Sequence, residues 1–297
     1  MKVALVFGGG GARGLAHIGV IKYLFEKKFT PDIVVGCSMG AIIGGVYAAG
    51  YSSKLIEDIG REIARDADKE ILKPSLSLTE LYDSSKFEKL LKRLVGRIRI
   101  EDMPIKFAAN AYDIISQKEV ILDRGSLVSA LRASASLPGV YESIHFQKEN
   151  LTLMDGGVVD PIPIGIARKL GADFVIAINV LERFPKGQMF ASLPHFHRKR
   201  GILPFLGRAL AFKRENVLNG LVAWFMASQG ALVNYLLETQ KPDILIEPDL
   251  RGVTSILDFS KYDEIVYAGY KAAKEKLEGV LENLRSDKDK RSQDIVR

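Results

Sequence analysis

Residues 31–50 read PDIVVGCSMGAIIGGVYAAG. The run IVV is short and β-branched, and the twelve residues from Met39 are small or apolar without a break, the pattern of a buried strand handing over to a buried helix. Between them stands a single serine, Ser38, with Gly36 two residues before it and Gly40 two residues after. A serine that only caps a helix needs neither glycine. A G-x-S-x-G at a strand-to-helix turn needs both, because the turn is so tight that the serine takes a strained backbone and larger side chains on either side would collide. The hydroxyl then projects from the sheet edge at a helix N-terminus, where the helix dipole favours developing negative charge. Taken alone, the pentapeptide equally describes a capping serine in a glycine-rich turn. Cys37, the only cysteine, reads as a small buried side chain rather than a rival nucleophile.

Outward from this stretch, short apolar runs alternate with helical patterns: KVALVF then GLAHIGVIKYLFEKK, LTLMD then IPIGIARKL, then DFVIAINV. Strands apolar along their whole length point to an α/β fold, with a mainly parallel central sheet covered by helices on both faces. Residues 52–100 read as charged amphipathic helices outside the sheet. KFAANAYDIISQKEVIL reads as two strands with a turn near Ser116 and Gln117, PDILIEPDL as a late strand, and DFSKYDEIVYAGYKAAKEKLEGVL as a closing helix. One domain over residues 1–280 is expected, followed by a polar, disordered tail at 281–297.

A single cysteine excludes an internal disulfide framework, and the early apolar run VALVF is too short for a secretory segment, so a cytosolic protein is expected. The net charge of +6 is local: residues 181–216 hold eight Lys/Arg against two Glu, with Phe184, Phe190, Phe196, Phe205 and Phe212 among them. One basic, Phe-bearing segment suggests a contact with an anionic surface rather than a nucleic-acid binder. The expectation is a cap or membrane-docking segment over 181–240, acting peripherally at the inner membrane face, against the alternative of a solvated loop whose phenylalanines pack on the domain. NVLNGLVAWFMASQGALVNYLL, residues 216–237, lacks charge, but Asn219, Gly220, Ser228, Gln229, Gly230 and Asn234 interrupt it. It reads as a buried or interfacial helix rather than a membrane span, which takes about 20 apolar residues.

Two further stretches bear on chemistry. FGGGGARG, residues 7–14, follows the first strand, and Gly9 to Gly14 fits G-x-G-x-x-G, so a dinucleotide site is one reading. That reading wants an acidic residue at the end of the second strand, where GCSMG stands instead. The other reading is an oxyanion hole built from the amides of Gly9, Gly10 and Gly11, with Arg13 orienting the loop or adding positive potential. LTLMDGG, residues 151–157, places Asp155 at the end of an apolar strand with Gly156 and Gly157 behind it. Its carboxylate, ordinarily with a pKa of about 3.9, becomes an adequate base for Ser38 if burial raises that value and the two groups are bonded directly; a turn aspartate is the plainer alternative. Among His17, His145, His195 and His197, the order Ser, Asp, His would recruit His195 or His197, yet PHFHRKR is a poor platform for a precisely held base. Asp160 precedes Pro161 and reads as a turn residue.

GGGARG, GCSMG and DGG in this order, with ALRASASLPGVY before the last, resemble the patatin-like phospholipase family, and the similarity runs from Met1 to about residue 280. The resemblance implies a three-layer α/β/α sandwich that hydrolyses lipid acyl esters through a Ser–Asp dyad without histidine, metal or cofactor. It assigns Ser38 as nucleophile, Asp155 as general base, and Gly9, Gly10, Gly11 and Arg13 to the oxyanion loop, with Gly36, Gly40, Gly156 and Gly157 supporting the motifs. Where the family often shows T-G after the middle strand, this chain has DIISQ. A catalytically idle lipid binder and a dinucleotide-binding protein are the alternatives.

Overall fold

The computed structural model describes residues 1–67, 75, 82–138, 140–146, 150–181, 225, 228–253 and 258–286. Nearly all of the basic segment, including His195 and His197, lies outside them, as does most of 216–227.

Strand β1 (Val3–Phe7) is buried along its whole length and pairs in parallel with β2 (Ile33–Gly36) on one side and β7 (Phe174–Ile178) on the other. Its side chains alternate. Val3, Leu5 and Phe7 enter one core with helices α1 (Ala16–Glu26), α2 (Met39–Ala48) and α8 (Tyr262–Leu277), while Ala4 and Val6 enter a second core with α6 (Ile164–Lys169) and a helix over residues 228–240, here α7. Both faces of the sheet are therefore covered, which is why these strands carry no polar alternation. Three layers result, as expected. Helices α3 (Ser53–Asp66) and α4 (Ser84–Val95) are amphipathic and lie on the larger core, capped at their N-termini by Ser52 and Asp83.

Among the described residues the sheet has eight strands in the order β5-β6-β3-β2-β1-β7-β8, with β4 also on β3. Its centre is parallel, through β3 (Lys106–Asp113) and β8 (Ile244–Ile246), but β4 (Lys118–Leu122), β5 (Ile144–Phe146) and β6 (Leu151–Asp155) are antiparallel to their neighbours. The predicted hairpin is present, with Gln117 at φ 56° in its turn.

The antiparallel course of β6 departs from the expected parallel run and positions the site. Ala109 of β3 pairs with Gly36 of β2 on one edge and with Leu122 of β4 on the other, and Ala111 pairs with both Val120 of β4 and Asp155 of β6. Strands β2 and β6 therefore share one edge of β3 and meet there end to end, one running up to the level of Ala109 and the other down to Ala111. Residues 36 and 155 are thus held two strand positions apart, roughly 7 Å.

At the C-terminus the expected tail begins too early. Residues 280–286 are helical, and Leu281 and Leu284 are buried in the larger core; the apolar pair at helical spacing continues the packing of α8 beyond Gly279. Residues 287–297 lie outside the described part.

Candidate active site

Ser38 sits between β2 and α2 with φ 52° and ψ −123°, a backbone conformation that L-residues avoid and that neighbouring structure must enforce. The enforcement is visible at the two glycines. A Cβ on Gly36 would lie 2.5 Å from Ala41 Cα, and one on Gly40 would lie 2.2 Å from the carbonyl oxygen of Phe7. The first turn of α2 therefore packs directly on the backbone of β1, as the G-x-S-x-G reading requires. The Ser38 amide donates to Ser134 Oγ at 2.9 Å, a buried hydroxyl at the end of α5 (Leu127–Ser134).

From this elbow Ser38 Oγ donates to Asp155 Oδ2 at 2.7 Å, with no residue between them. The other carboxylate oxygen, Oδ1, accepts the Gly157 amide at 2.8 Å and lies 3.9 Å from the Cys37 thiol. Asp155 is 2% exposed. Burial raises its pKa to about 6, against which the hydrogen bonds from Ser38, Gly157 and Cys37 pull downward. Burial also pushes the Cys37 thiol well up, so it stays neutral. The pair is suited to proton exchange near neutral pH: a hydroxyl already bonded to a carboxylate that binds a proton about as readily as it releases one.

The glycine loop opens on the same cleft. Its amides are not equivalent. Gly8 donates to Ile178 O at 3.0 Å and Gly9 to Pro161 O at 2.9 Å, which removes Gly9 from the expected donor set. The amides of Gly10 and Gly11 have no acceptor among the described residues, nor does that of Met39, which follows the elbow serine. Of the two roles expected of Arg13, its bonds fit holding the loop. Its Nε and Nη2 donate to Val253 O at 3.0 and 2.7 Å, and it lines a separate depression with Glu247 and Arg251, so its charge serves to anchor the loop rather than to face Ser38.

The cleft encloses about 690 Å³ including its mouth, and its walls are apolar: Met39, Ile42, Phe87, Val140, Tyr141 and Phe259. Phe87 and Tyr141 stack at 4.9 Å, with the buried Arg132 guanidinium over both rings. A cleft with this apolar lining suits a hydrocarbon chain.

None of the described histidines reaches the dyad. His17 is fully buried against Phe7, its Nε2 bonded to Gly8 O at 2.8 Å, and burial lowers its pKa to about 4. His145 is exposed and bonded to Thr152 Oγ1. Asp160 is buried, with its Oδ1 accepting the Ile162 amide in the turn into α6; burial first and Glu119 second raise its pKa to about 7. Three contributors to the site were not singled out from sequence. Ser134 and Ser136 look alike within ASAS. Asn110 is a polar residue in the apolar middle of a strand. Gln229 was visible only as one of six interruptions in an apolar run.

The sequence matches the patatin-like phospholipase family over residues 5–168, which include all three motifs. An uncharacterized NTE family protein of Mycobacterium tuberculosis is 36% identical over 60% of this chain and 49% of its own length. Human patatin-like phospholipase domain-containing protein 6 is 37% identical over 60% of this chain and 13% of its own. A lysophospholipase of Scheffersomyces stipitis is 28% identical over 90% of this chain and 17% of its own. The chain thus spans half or less of the length of these relatives.

Proposed function

The chain belongs to the patatin-like phospholipase family, and from that premise we propose that it hydrolyses acyl esters of lipids with Ser38 as nucleophile and Asp155 as the sole general base. The observation that carries this reading is the direct 2.7 Å bond between Ser38 Oγ and Asp155 Oδ2 at a strained elbow. Ser38 attacks the ester carbonyl while its proton passes to Asp155. The tetrahedral oxyanion is met by the amides of Gly10, Gly11 and Met39, which have no acceptor among the described residues. Protonated Asp155 then gives its proton to the departing alcohol or lysolipid, leaving an acyl-enzyme, and water is activated by the same carboxylate to release the fatty acid. The apolar walls suit an acyl chain better than the diphosphate that the dinucleotide reading of the glycine loop would need.

Fluorophosphonate labelling and hydrolysis of p-nitrophenyl esters and labelled phospholipids, run on wild type, Ser38→Ala and Asp155→Asn, test the reading. Labelling is expected to vanish with Ser38→Ala, and turnover to fall in both variants by roughly the 10⁴-fold or more associated with loss of a nucleophile or its base. Retained turnover in either variant refutes it.

For access to lipid we place the basic segment at 181–216 against an anionic membrane, each Lys or Arg near the surface contributing about 1 kcal/mol. Among the described residues no helix is long and apolar enough to cross a membrane. Sedimentation with phosphatidylserine vesicles should be salt-sensitive and reduced by deleting residues 195–214; indifference to both removes this part of the proposal.

A further inference from the structure

The turn that follows Asp155 is gripped from two sides. From within the sheet, Asn110 of β3 donates from Nδ2 to Asp160 O at 2.8 Å and to Gly156 O at 3.5 Å, and a Cβ on Gly156 would lie 2.3 Å from Asn110 Oδ1. From outside the sheet comes α7. Near its start Gln229, 4% exposed, donates from Nε2 to Gly157 O, and at its last residue Gln240 accepts the Gly165 amide at 2.7 Å through Oε1. One helix is therefore registered at both ends on the segment that carries the catalytic carboxylate into α6. The position a Gly157 Cβ would take lies 2.8 Å from Gln229 Oε1 and 3.0 Å from Asp155 Oδ1. The missing side chain is what lets the glutamine carboxamide stand beside the carboxylate, and Gln229 also lines the cleft.

We propose that Gln229 is a positioning residue for Asp155: by holding the Gly157 carbonyl it fixes that residue with its N–H on Oδ1, and so keeps Oδ2 turned to Ser38. The inference rests on the Ser38–Asp155 reading of the site. The two carboxylate oxygens have separate tasks, one anchored by the Gly157 amide and one bonded to the nucleophile. If the Gly157 peptide turns, the carboxylate loses its anchor and is free to rotate away from Ser38. It also loses a donor that favours its ionised form. The other titratable groups facing the turn are the Cys37 thiol beside Oδ1 and, around Asn110, Asp160 and Glu119. None of these is bonded to Gln229 among the described residues, so an uncharged substitution at Gln229 reaches Asp155 through Gly157.

The test uses the full chain and the pH profile of p-nitrophenyl butyrate hydrolysis, an ester short enough to make little use of the acyl cleft. Gln229→Met keeps the length and loses the amide; Gln229→Leu puts an apolar side chain of similar volume there and loses the donor, and neither adds a charge beside Asp155. Both are expected to lower kcat by about 10- to 100-fold, as for a small misplacement of a catalytic group, with KM changed by less than about twofold. The acid limb of kcat/KM should move up by at least about half a pH unit. A folded variant with wild-type kcat overturns the inference, as does a fall in kcat with the limb unmoved, which marks general loosening. Failure of both variants to fold also overturns it, because Gln229 is then a packing residue. Ser38→Ala and Asp155→Asn in the same assay separate the premise: activity in those two sinks the dyad itself, whereas their inactivity beside wild-type Gln229 variants sinks only the role of Gln229.

Discussion

Asp155→Asn should make the protein inactive and more stable, and the gain should depend on pH in a way fixed by burial. The carboxyl's pKa is about 6 in the folded chain against a reference of 3.8, so the folded state holds this proton more tightly than the unfolded chain does. Below pH 3.8 both states are protonated and the group is neutral toward stability. Between 3.8 and 6 the unfolded chain releases the proton first, and stability falls as pH rises; above 6 the loss is complete. A displacement of this size corresponds to about 3 kcal/mol. Asparagine has no proton to lose, and it can accept from Gly157 and donate to Ser38 in the same place. Asp160 and His17, also displaced by burial, are present in both proteins and largely drop out of the difference. Urea unfolding followed by circular dichroism from pH 4.5 to 7.5 should show the variant gaining on wild type by most of that amount. Over the same range the wild-type kcat/KM should climb through an inflection near pH 6, because the base works only when ionised. A stability difference flat with pH, or one that favours wild type as pH rises, refutes the claim that a desolvated carboxylate sits beside Ser38.

Ser134→Ala removes the acceptor of the Ser38 amide and should lower kcat about 10-fold by loosening the elbow, with little change in KM for a short ester; unchanged kcat in steady-state assays counts against the contact. Gly40→Ala places a methyl 2.2 Å from a backbone oxygen and should cost about 3 kcal/mol or more by overpacking, whereas Gly96→Ala, at φ 58° and ψ −128° with open space around it, should cost about 1–3 kcal/mol through backbone strain alone; urea midpoints for the pair compare the two effects directly. Arg13→Met removes the charge together with the paired donors to Val253 O and should lower the melting temperature by about 2–5 °C, on the order of 1–3 kcal/mol, without altering the pH profile; a moved acid limb would instead put the guanidinium's charge at the site.

The elbow was legible because its constraints are local. Gly36 and Gly40 stand two residues from Ser38, and the collisions they avoid involve Ala41 and the end of the neighbouring strand. Asp155 was legible as a residue type at a strand end, but the direction of its strand was not. LTLMD is as apolar as a parallel strand would be, and its course is set by the β5–β6 hairpin and by which edge of β3 lies open beyond Gly36. Which of Arg13's two roles applied was not legible, for the complementary reason. Its partner is the carbonyl of Val253, 240 positions away, and no local pattern announces that a cation beside a glycine loop is already taken. Gly9 likewise lost its amide to Pro161, a contact that only the return of β6 creates. Residues that position others through long-range bonds, such as Ser134, Asn110 and Gln229, carry no spacing that a single sequence could expose.

The head-to-head meeting of β2 and β6 also explains how the proposed dyad would dispense with a third residue. A histidine spans the distance between a hydroxyl and a carboxylate that approach from separate elements, and orients both. Here the same edge of β3 fixes Gly36 and Asp155 two positions apart, so the hydroxyl and carboxylate touch without an intermediary. Direct contact demands burial, because a solvated carboxylate would keep a pKa near 3.8 and bind the serine proton weakly; enclosure between Cys37, Gly157 and the elbow raises it. Strain at Ser38 and desolvation at Asp155 both oppose folding, and both are held by the most deeply buried part of the sheet. A substitution that relieves either one should therefore trade activity for stability, whereas one that weakens β3 without touching the dyad should lose both together.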